Sequence, residues 1–549
     1  MLKTYSYPKF ASPRAAELDE AALRRHPVVV VGAGPVGLAM AIDLAQRGRA
    51  VLLLDDDETV SIGSRGLCYA KRTLEVLDRL GCGQPIVDKG VTWNVGRTFL
   101  DTEEVFNFNL VEEPGHERPG MVNLQQYYLE QYLLARVAEL PAIDLRWRHK
   151  VVKVEPQDDG ATVQVETPDG SFSLQADWLL VADGARSPIR RMLGLEIEGK
   201  VFQDRFLIAD VVMKADFPAE RWFWFDPPFH RGQSVLLHRE ADNVWRIDFQ
   251  LGWQADPEEE KKPEKVIPRI RAMLAHWSGA EGQAPDFELE WVSVYTFQCR
   301  RMNHFRHGRV LFAGDAAHQV SPFGARGANS GIQDVDNLGW KLDAVLAGSA
   351  PARLLDTYGD ERVFAADENI RNSTRSTDFI TPKSRASRTF RNAVLGLARR
   401  HPFARSLVNS GRLSVPSLLT GSPLNTPDED AFEGWMVPGA PMDDAPVAVG
   451  GRPGWLLREV ANPREQGFVL MVFGDAPAEL PATPVAVRVL RIGSGAGAVE
   501  DIDGIVARRY DGRDGTCYLL RPDQHVAARW RRYDAAKLQA ALARALALA

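Results

Sequence analysis

Cysteine is scarce in this sequence of 549 residues, and its four positions are Cys68, Cys82, Cys299 and Cys517. No two of them form a Cys-x-x-Cys pair, which excludes a zinc knuckle and a dithiol redox pair, so we expect no metal site. A low cysteine content is typical of free thiols in a reducing compartment. We therefore expect a cytoplasmic protein.

The sequence also lacks an excess of charge of one sign and any long apolar run. Its 66 Lys and Arg residues and 73 Asp and Glu residues give a net charge of −7. This balance does not indicate the excess of positive charge that binding to nucleic acid or to an anionic membrane requires. No apolar run reaches the roughly 18 residues of a membrane span. Residues 1–25 contain no apolar core typical of a signal peptide, and we interpret them as an N-terminal extension.

Glycine is ordinary in number, at 45 residues, but it is concentrated at a few points. The first is Gly32-Ala33-Gly34-Pro35-Val36-Gly37, which follows a β-branched run at 27–32 and opens a predicted helix at 35–47. In this context the G-x-G-x-x-G pattern predicts dinucleotide binding: the first glycine permits a tight turn, the second admits a pyrophosphate, and the third lets helix and strand pack closely. The helix N-terminus would attract the anion. A tight turn without a ligand is the alternative.

Two other features are related to this motif: an acidic pair that follows it in the chain, and a second glycine run that resembles it. A second predicted strand at 50–54 ends in Asp55 and Asp56, and Asp55 is placed to accept hydrogen bonds from an adenosine ribose. The glycine run at 493–497 also follows a strand, but it lacks a correctly spaced third glycine and a following helix pattern. We interpret it as a flexible loop.

Hydrophobic periodicity predicts an α/β domain interrupted by a sheet. Alternation over 201–297, broken by a helical stretch at 263–277, favours an inserted antiparallel sheet. A buried strand at 309–314 and helices to about 408 return to the first domain. The predicted domains are an N-terminal extension (1–25), an α/β nucleotide-binding domain in two pieces (26–198 and 299–410), the inserted sheet domain (199–298), a linker rich in Ser, Pro and Thr (411–430) and a C-terminal domain (431–549).

Two further motifs complete a family pattern. Residues 180–187 read LVADGARS, residues 308–318 read GRVLFAGDAAH, and the chain continues as SPFGARGANSG at 321–331. With the first glycine cluster, these motifs resemble the signatures of the single-component (group A) FAD-dependent aromatic hydroxylases. The branch is that of phenol hydroxylase, 2,4-dichlorophenol hydroxylase and 3-(3-hydroxyphenyl)propionate hydroxylase, and the similarity covers about residues 27–549.

The resemblance implies a fold class and an assembly. The fold is α/β, with a Rossmann-like FAD-binding domain of the glutathione-reductase type, an inserted antiparallel β-sheet substrate domain and a C-terminal thioredoxin-like domain. In that last domain, Arg521-Pro522-Asp523 resembles a family strand-turn. Without a Cys-x-x-Cys pair the domain cannot exchange disulfides. We expect it to be structural or to lie at the interface of a homodimer.

The resemblance also assigns residues to FAD. Asp315, after Gly314, would accept from the ribityl hydroxyls, although a helix N-cap is its alternative. Pro322 would stiffen the loop beside the isoalloxazine. Backbone N–H groups at the next helix start would stabilise negative charge on the reduced ring. The residues at that helix start are Gly327, Ala328 and Asn329. The resemblance also places Arg65 near the pyrophosphate and Gln126 near the ribityl chain, although Arg65 could instead lie in a solvated loop. Asp183 would lie near the cofactor and the reductant, and its alternative is an ordinary turn.

The reaction implied by the resemblance uses NADH or NADPH and O2. NAD(P)H reduces FAD, O2 adds at flavin C4a, and the hydroperoxide hydroxylates an electron-rich ring, in aromatic compound catabolism. We find no second dinucleotide fingerprint, in agreement with transient NAD(P)H binding in the family. The cofactor carries the hard step, and the protein orients the ring and excludes water.

The catalytic residues are less evident, because this chain departs from the phenol hydroxylases. Where they place an acid before Gly-Leu, this sequence has Arg65. Arg246 resembles a family Arg close to the flavin. Arg326 replaces a common Gln and would meet either an acidic substrate or solvent. With the aromatic-rich insert, the two arginines predict a hydroxylated aromatic substrate, with or without a carboxylate. The other candidates to face the pocket are His238, Asp248, Gln250 and Tyr295, each of which is alternatively an ordinary sheet residue.

Other activities are the alternatives to ring hydroxylation. A flavin-dependent oxidase or a Baeyer–Villiger-type oxygenase would use the same cofactor site. A flavin-dependent halogenase would carry Trp-x-Trp-x-Ile-Pro, whereas Trp222–Pro227 has Asp226 in place of Ile. A non-enzymatic FAD-binding scaffold is the remaining alternative. The expected partner is a small aromatic molecule rather than nucleic acid or a membrane.

Overall fold

The computed structural model describes residues 4–20, 22–111, 113–277, 285–408, 413–461 and 467–549. Residues 1–3 and 21 of the predicted extension, and residues 411–412 of the predicted linker, lie outside this part of the chain. All four cysteines are free. In the described part, no helix is both long and apolar enough to cross a membrane.

The first part of the chain builds most of one sheet and the edge of another. In chain order its elements are β1 (Arg24–Val31), α1 (Pro35–Gln46), β2 (Val51–Leu54), β3 (Cys68–Ala70), α2 (Lys71–Arg79), α3 (Gly83–Lys89), β4 (Val91–Trp93), β5 (Val95–Leu100), β6 (Glu103–Asn109), β7 (Met121–Asn123), α4 (Gln126–Ala138), β8 (Ile143–Arg146), β9 (Lys150–Gln157), β10 (Gly160–Thr167), β11 (Gly170–Val181) and α5 (Pro188–Met192).

The middle of the chain builds a long-stranded sheet and then a run of helices. Its elements are β12 (Glu198–Met213), β13 (Arg221–Phe225), β14 (Ser234–Arg239), β15 (Val244–Leu251), α6 (Pro257–Glu260), α7 (Pro263–Trp277), β16 (Phe287–Arg301), β17 (Arg306–His307), β18 (Val310–Phe312), β19 (His318–Gln319), α8 (Gly327–Leu346), α9 (Asp356–Ile380), α10 (Arg385–Ala398) and α11 (Pro402–Arg405).

The last part of the chain forms a third sheet with helices. Its elements are β20 (Pro446–Val449), β21 (Arg452–Trp455), α12 (Leu456–Val460), β22 (Phe468–Phe473), β23 (Val487–Ile492), β24 (Val499–Asp501), α13 (Ile505–Arg509), β25 (Cys517–Leu520), β26 (Val526–Trp530) and α14 (Ala535–Ala545).

The first sheet is ordered β17-β18-β11-β1-β2-β8. The strands from β18 to β8 are parallel, and β17, β10 and β9 are attached as antiparallel neighbours. Strand β1 is covered on both faces, so the side chains of Val28–Val31 are all buried. Helix α1 packs against α8 so closely that a Cβ on Gly339 would lie 1.8 Å from the Asp43 carboxylate. The predicted β-α-β unit is confirmed, with α1 ending at Gln46.

The second sheet has eight strands in the order β19-β16-β12-β15-β14-β13-β5-β6, and only the β13–β5 pair is parallel. One face packs on α7 through an apolar cluster that includes Trp245, Ile247 and Phe249. The other face points toward the loops that end the first sheet. Strands β5 and β6 were not predicted; they belong to the second sheet although they precede it by about 100 residues of chain, and their short, irregular alternation gave no strand signal.

The third sheet is ordered β21-β20-β24-β23-β22-β25-β26. Its centre contains the parallel pair β22–β23, and α14 packs on it through Leu538 and Leu542. The segment 413–430 contains no helix or strand, but it is bound to this sheet by backbone bonds from Leu419 to Gly439 and from Thr426 to Ala527. The predicted loop at 493–497 joins β23 to β24.

The described N-terminal residues form an arm that packs across two sheets. Tyr5 stacks on Tyr127, and the Thr4 hydroxyl donates to Glu290 of the second sheet. Phe10 stacks on Trp147 beside the first sheet. The arm therefore joins the second sheet to the first.

Candidate functional site

The turn after β1 has the shape that a dinucleotide requires. Gly32 has a φ of +104°, in the left-handed region that favours glycine. A Cβ on Gly37 would lie 1.8 Å from the Gly32 carbonyl oxygen, so helix and strand meet there without side chains. A Cβ on Gly34 would meet nothing within 4 Å, which leaves open space above the backbone. With Pro35 at N1 of α1, this turn presents a bare helix N-terminus to an anion.

Asp55 stands at the end of β2 and braces this turn. Its carboxylate accepts hydrogen bonds from the N–H groups of Ala33 and Asp57, one at each oxygen. Burial raises the pKa of Asp55 to about 6, although the two hydrogen bonds favour the ionised form and act to lower this pKa. Each oxygen keeps a second lone pair, so the carboxylate fits the predicted contact with ribose hydroxyls. Asp56 is exposed beside it.

Asp315 lies on the wall of a cleft between the first and second sheets. The residue is exposed, yet surrounding protein raises its pKa by desolvation, while the charges of His318 and Arg65 act in the opposite direction. Its carboxylate lies 4.0 Å from a Cβ placed on Gly327. Asp315 therefore lies beside the N-terminus of α8.

The start of α8 offers backbone donors that have no partner within the helix. The first i to i−4 bond of the helix runs from Ser330 to the Arg326 carbonyl, so the N–H groups of Gly327, Ala328 and Asn329 precede it. Pro322 is exposed in the turn before this helix. These positions fit the predicted contact with the flavin.

The side chain of Asn329 also has a structural task. It accepts from Ala70 N–H and donates to the Cys68 and Ala325 carbonyls, at 2.8, 2.8 and 2.5 Å. It thereby ties β3 to α8. A contact between the Asn329 N–H and the flavin stays a prediction.

Arg65 lies in the loop between β2 and β3, and Gln126, the first residue of α4, packs against that loop. Gln126 Oε1 accepts from Gly66 N–H at 2.8 Å, and its Nε2 donates to Ser61 and Glu130. The amide therefore holds the loop, and its contact with a ribityl chain stays a prediction. Arg65 is exposed, and its charge lowers the pKa of Asp315 across the cleft.

Asp183 begins the turn after β11. One carboxylate oxygen accepts from Ile189 N–H, while Oδ1 is buried and has no partner in the described part of the chain. Burial raises the pKa of Asp183. A Cβ on the next residue, Gly184, would meet nothing within 4 Å, so this turn also borders open space.

The face of the second sheet opposite α7, which we call the cleft face, carries the predicted catalytic residues. Cross-strand pairs place their side chains in rows, because directly opposed residues point to the same side. One row contains His238, Arg246, Asp210 and Trp291. The next contains Phe223, Leu236, Asp248, Ile208 and Ser293, and a third contains Gln250, Phe206 and Tyr295.

Arg246 is fully engaged in this face. Its guanidinium donates to both carboxylate oxygens of Asp210 at 2.8 Å and to the Ser64 carbonyl at 2.6 Å. Glu240 lies 3.4 Å away, and burial raises its pKa to about 8. Arg246 therefore clamps the loop between β2 and β3 onto the sheet, which leaves it poorly placed to bind a substrate carboxylate.

Asp248 and Glu240 both keep carboxylate oxygens without a hydrogen-bond partner in the described residues, but Glu240 lies 3.4 Å from Arg246, whereas Asp248 forms no ion pair there. Its Oδ1 is buried without a partner in the described residues, and burial raises its pKa to about 7. His238, in the neighbouring row, is buried between two arginines; its Nδ1 is likewise unpartnered, and burial together with Arg221 and Arg246 holds its pKa well below the usual value. The imidazole is therefore neutral.

Gln250 and Tyr295 differ in what they face. Gln250 is buried, and its Oε1 accepts from Ser234 N–H at 3.0 Å, which makes it part of the sheet. Tyr295 is 42% exposed, and its pKa is raised first by desolvation and then by the charge of Asp315. Tyr295 therefore lines the same cleft as Asp315.

Sequence reasoning missed Arg221, the first residue of β13. It is 7% exposed and lines an apolar cavity with Phe223, Phe225 and Phe323. By contrast, the predicted Arg326 donates to Asn369 at 2.9 Å behind this cavity. A basic residue that opens the aromatic run Trp222–Phe225 was the available signal.

Comparison with known proteins agrees with this geometry. The family described as FAD binding domain matches residues 25–373. A flavin-dependent monooxygenase of Mycobacteroides abscessus is 35% identical over 347 residues, covering 61% of this chain and 71% of that protein. A probable NADH-specific resorcinol 4-hydroxylase of Rhodococcus jostii is 29% identical over 551 residues, covering 95% and 94%.

A solved structure shares the fold. The flavin-dependent monooxygenase PieE, in complex with FAD and substrate, has a TM-score of 0.80 at 23% identity and covers 96% of this chain and 99% of its own. The open glycine turns, the cleft-facing Asp315 and the free N–H groups of α8 fit FAD, and the family match covers these residues. The chain thus belongs to this FAD-binding family and is a group A, FAD-dependent aromatic-ring monooxygenase.

Proposed function

We propose that this monooxygenase hydroxylates the ring of a phenol with NADH or NADPH and O2, and that Asp248 takes the phenol proton. The observation that carries the proposal is the unpartnered, buried Oδ1 of Asp248 on the cleft face. Bound FAD supplies the redox and oxygen chemistry. A phenolate ring is a stronger nucleophile than the neutral phenol, so a base at this position accelerates oxygen transfer to the ring.

The surroundings of Asp248 suit a base that works near neutral pH. Burial raises its pKa to about 7, while the charges of Arg246 and Arg221 favour the ionised form. Its cross-strand neighbours Leu236 and Ile208 exclude water from one side. Above pH 7 the carboxylate is ionised and accepts a proton; below it, the protonated acid cannot.

The test is Asp248→Asn with resorcinol and 3-hydroxybenzoate as phenols. We expect FAD content to be unchanged and hydroxylation to fall by about 100-fold or more. In the wild type, kcat/KM should rise with pH through about 7, and the variant should lose this inflection. Formation of a new ring hydroxyl that carries one oxygen atom from labelled O2 indicates hydroxylation. Baeyer–Villiger chemistry would place that oxygen in an ester, and oxidase or halogenase chemistry would not incorporate it.

The control is Asp216→Asn, an exposed acid in the same part of the chain. It should leave the rate and the pH profile unchanged. Retention of the wild-type pH profile in Asp248→Asn would refute the role of Asp248. Failure of every phenol to accelerate NAD(P)H consumption by the wild type would refute phenol hydroxylation itself.

We also propose the domain organisation predicted from the sequence, with β5 and β6 added to the inserted sheet domain and residues 431–549 as a thioredoxin-like domain. The parallel pair β22–β23, flanked by the antiparallel strands β25 and β26, supports it. Burial raises the pKa of Cys517 to about 12, in keeping with a domain without redox function. We propose in addition that the protein forms a homodimer and is cytoplasmic. Light scattering of the purified protein tests whether it is a dimer.

A further inference from the structure

Arg221 is a buried cation without a matching anion. Its side chain is 7% exposed at the start of β13, and in the described part of the chain it forms no ion pair. Its one hydrogen bond there, to the Phe323 carbonyl, is long at 3.5 Å. Burial lowers the pKa of Arg221, while Cys68 and Asp248 act in the opposite direction. A buried charge left unpaired is costly, so proteins usually supply it with a partner.

Other arginines around the cleft face do have partners. Arg246 forms a bidentate pair with Asp210, and Arg97, on the neighbouring strand β5, pairs with Glu220 at 2.6 Å. Arg221 therefore differs from its neighbours in retaining free donors at a position closed to bulk water.

The space in front of Arg221 is walled by aromatic and apolar side chains. Phe323 belongs to the turn that the resemblance places beside the isoalloxazine, so the cavity adjoins the expected reaction centre. Phe108 covers the sheet at Gly96, the residue paired with Arg221 across β5 and β13. The remaining lining residues are Arg97, Thr98, Phe223, Phe225, Ser376, Phe379, Ile380, Val408 and Leu413.

We propose that Arg221 is the specificity-determining residue for a carboxylate on the substrate, so that the substrates are phenolic aromatic acids. The inference rests on the proposed phenol hydroxylation and names the substrate class of that site. The planar guanidinium matches a carboxylate with two parallel hydrogen bonds. A neutral isostere would leave the buried charge unpaired, which penalises its binding.

The two polar groups of such a substrate have separate partners. Arg221 on β13 and Asp248 on β15 lie two strands apart, which corresponds to about 10 Å between backbones. Their side chains influence each other's pKa. An aromatic ring with its carboxylate at Arg221 and its hydroxyl at Asp248 bridges this separation.

The experiment measures binding without turnover. The oxidised, FAD-loaded protein is titrated with 3-hydroxybenzoate, 3-hydroxyphenylacetate and 3-hydroxyphenylpropionate, and with the neutral amide of each, while the flavin absorption spectrum is followed. We expect at least one acid to bind about tenfold or more tightly than its amide. Arg221→Gln should abolish that preference and change the affinity for the amide by less than about threefold, whereas Arg221→Lys should keep part of it.

Arg239→Gln is the matched control, because Arg239 lies on the neighbouring strand β14 and its guanidinium covers Trp245 on the opposite face. It should keep the full preference. The inference is wrong if no acid is preferred by the wild type, or if Arg221→Gln weakens acid and amide equally. It is also wrong if the only ligands that bind are phenols without a carboxylate and if their affinity increases as the pH rises. That result would indicate that the site recognises a phenolate. Preferred acids that never accelerate NAD(P)H consumption would instead refute the proposed function alone.

Discussion

At the residue scale, Gly34 and Gly37 share one turn but differ in what a methyl group would meet. A Cβ at Gly34 enters open space, where the pyrophosphate is expected, whereas a Cβ at Gly37 lies 1.8 Å from a backbone oxygen. We expect Gly34→Ala to weaken FAD binding by about tenfold or more and to leave the free energy of unfolding of the apoprotein within about 0.5 kcal/mol of the wild type. Gly37→Ala should lower that free energy by about 3 kcal/mol.

Denaturant unfolding of the apoprotein and FAD titration measure the two effects separately. Gly396→Ala serves as the control for FAD affinity, since a Cβ there meets nothing within 4 Å. Because Gly396 lies inside α10, its replacement should raise the free energy of unfolding by about 1 kcal/mol at most. If Gly34→Ala bound FAD as tightly as the wild type, the turn would not hold the pyrophosphate.

At the element scale, one side chain joins β3 to α8. The Asn329 amide accepts a hydrogen bond from the Ala70 N–H and donates to two backbone carbonyls. Among the described residues, its oxygen is the side-chain acceptor for that N–H. Asn329→Ala leaves that buried N–H unpaired, and we expect it to lower the free energy of unfolding by about 2 kcal/mol. Because the same helix start faces the cleft, FAD affinity should fall as well. Both quantities come from denaturant titration with and without added FAD.

Arg271→Ala, on the exposed face of α7, is the control and should change neither quantity. An unchanged unfolding free energy in Asn329→Ala would show that β3 does not depend on this side chain.

At the scale of the whole molecule, a buried charge network fastens the third sheet to the helices of the first. Arg521 donates to both oxygens of Glu361 at 2.6 and 3.0 Å, and Lys341 donates to the same carboxylate at 2.7 Å. Burial alone would raise the pKa of Glu361, but Arg521 and Lys341 hold it well below its usual value. Arg521→Gln should therefore cost about 3 kcal/mol or more, because a buried carboxylate loses a partner.

The sign of the pH dependence follows from the lowered pKa of Glu361. Its contribution to stability is complete above the unfolded pKa of about 4.3 and is lost as pH falls below it. Between about pH 5 and pH 3 the wild type should lose stability more steeply than Arg521→Gln, as measured by urea unfolding across that range. Equal slopes would mean that Glu361 is not the group that titrates. Arg532→Gln, near the start of α14, is the control and should follow the wild type.

Local sequence decided the elements that are expected to bind the nucleotide. The turn at Gly32–Gly37 and the acid at Asp55 depend on backbone sterics and short-range spacing, and both are visible without a structure. The predicted helices and strands of the middle region followed from periodicity in the same way. Strands β5 and β6 were not predictable from their own sequence pattern. Strand β5 pairs with β13, which is distant in the chain, and β6 pairs with β5, so the tertiary structure determines both strands.

The tertiary structure alone decided which charged side chains remain available. Arg246, Arg326 and Asp248 are candidates in the sequence and Arg221 was missed there, because pairing depends on neighbours distant in the chain. Arg246 is neutralised by Asp210, 36 residues away, and Arg221 receives no such partner in the described residues. The sequence by itself therefore determined the cofactor and the class of chemistry, because short motifs encode them. Only the folded cleft face decided the residues proposed to recognise the substrate, because burial and pairing arise from packing between strands.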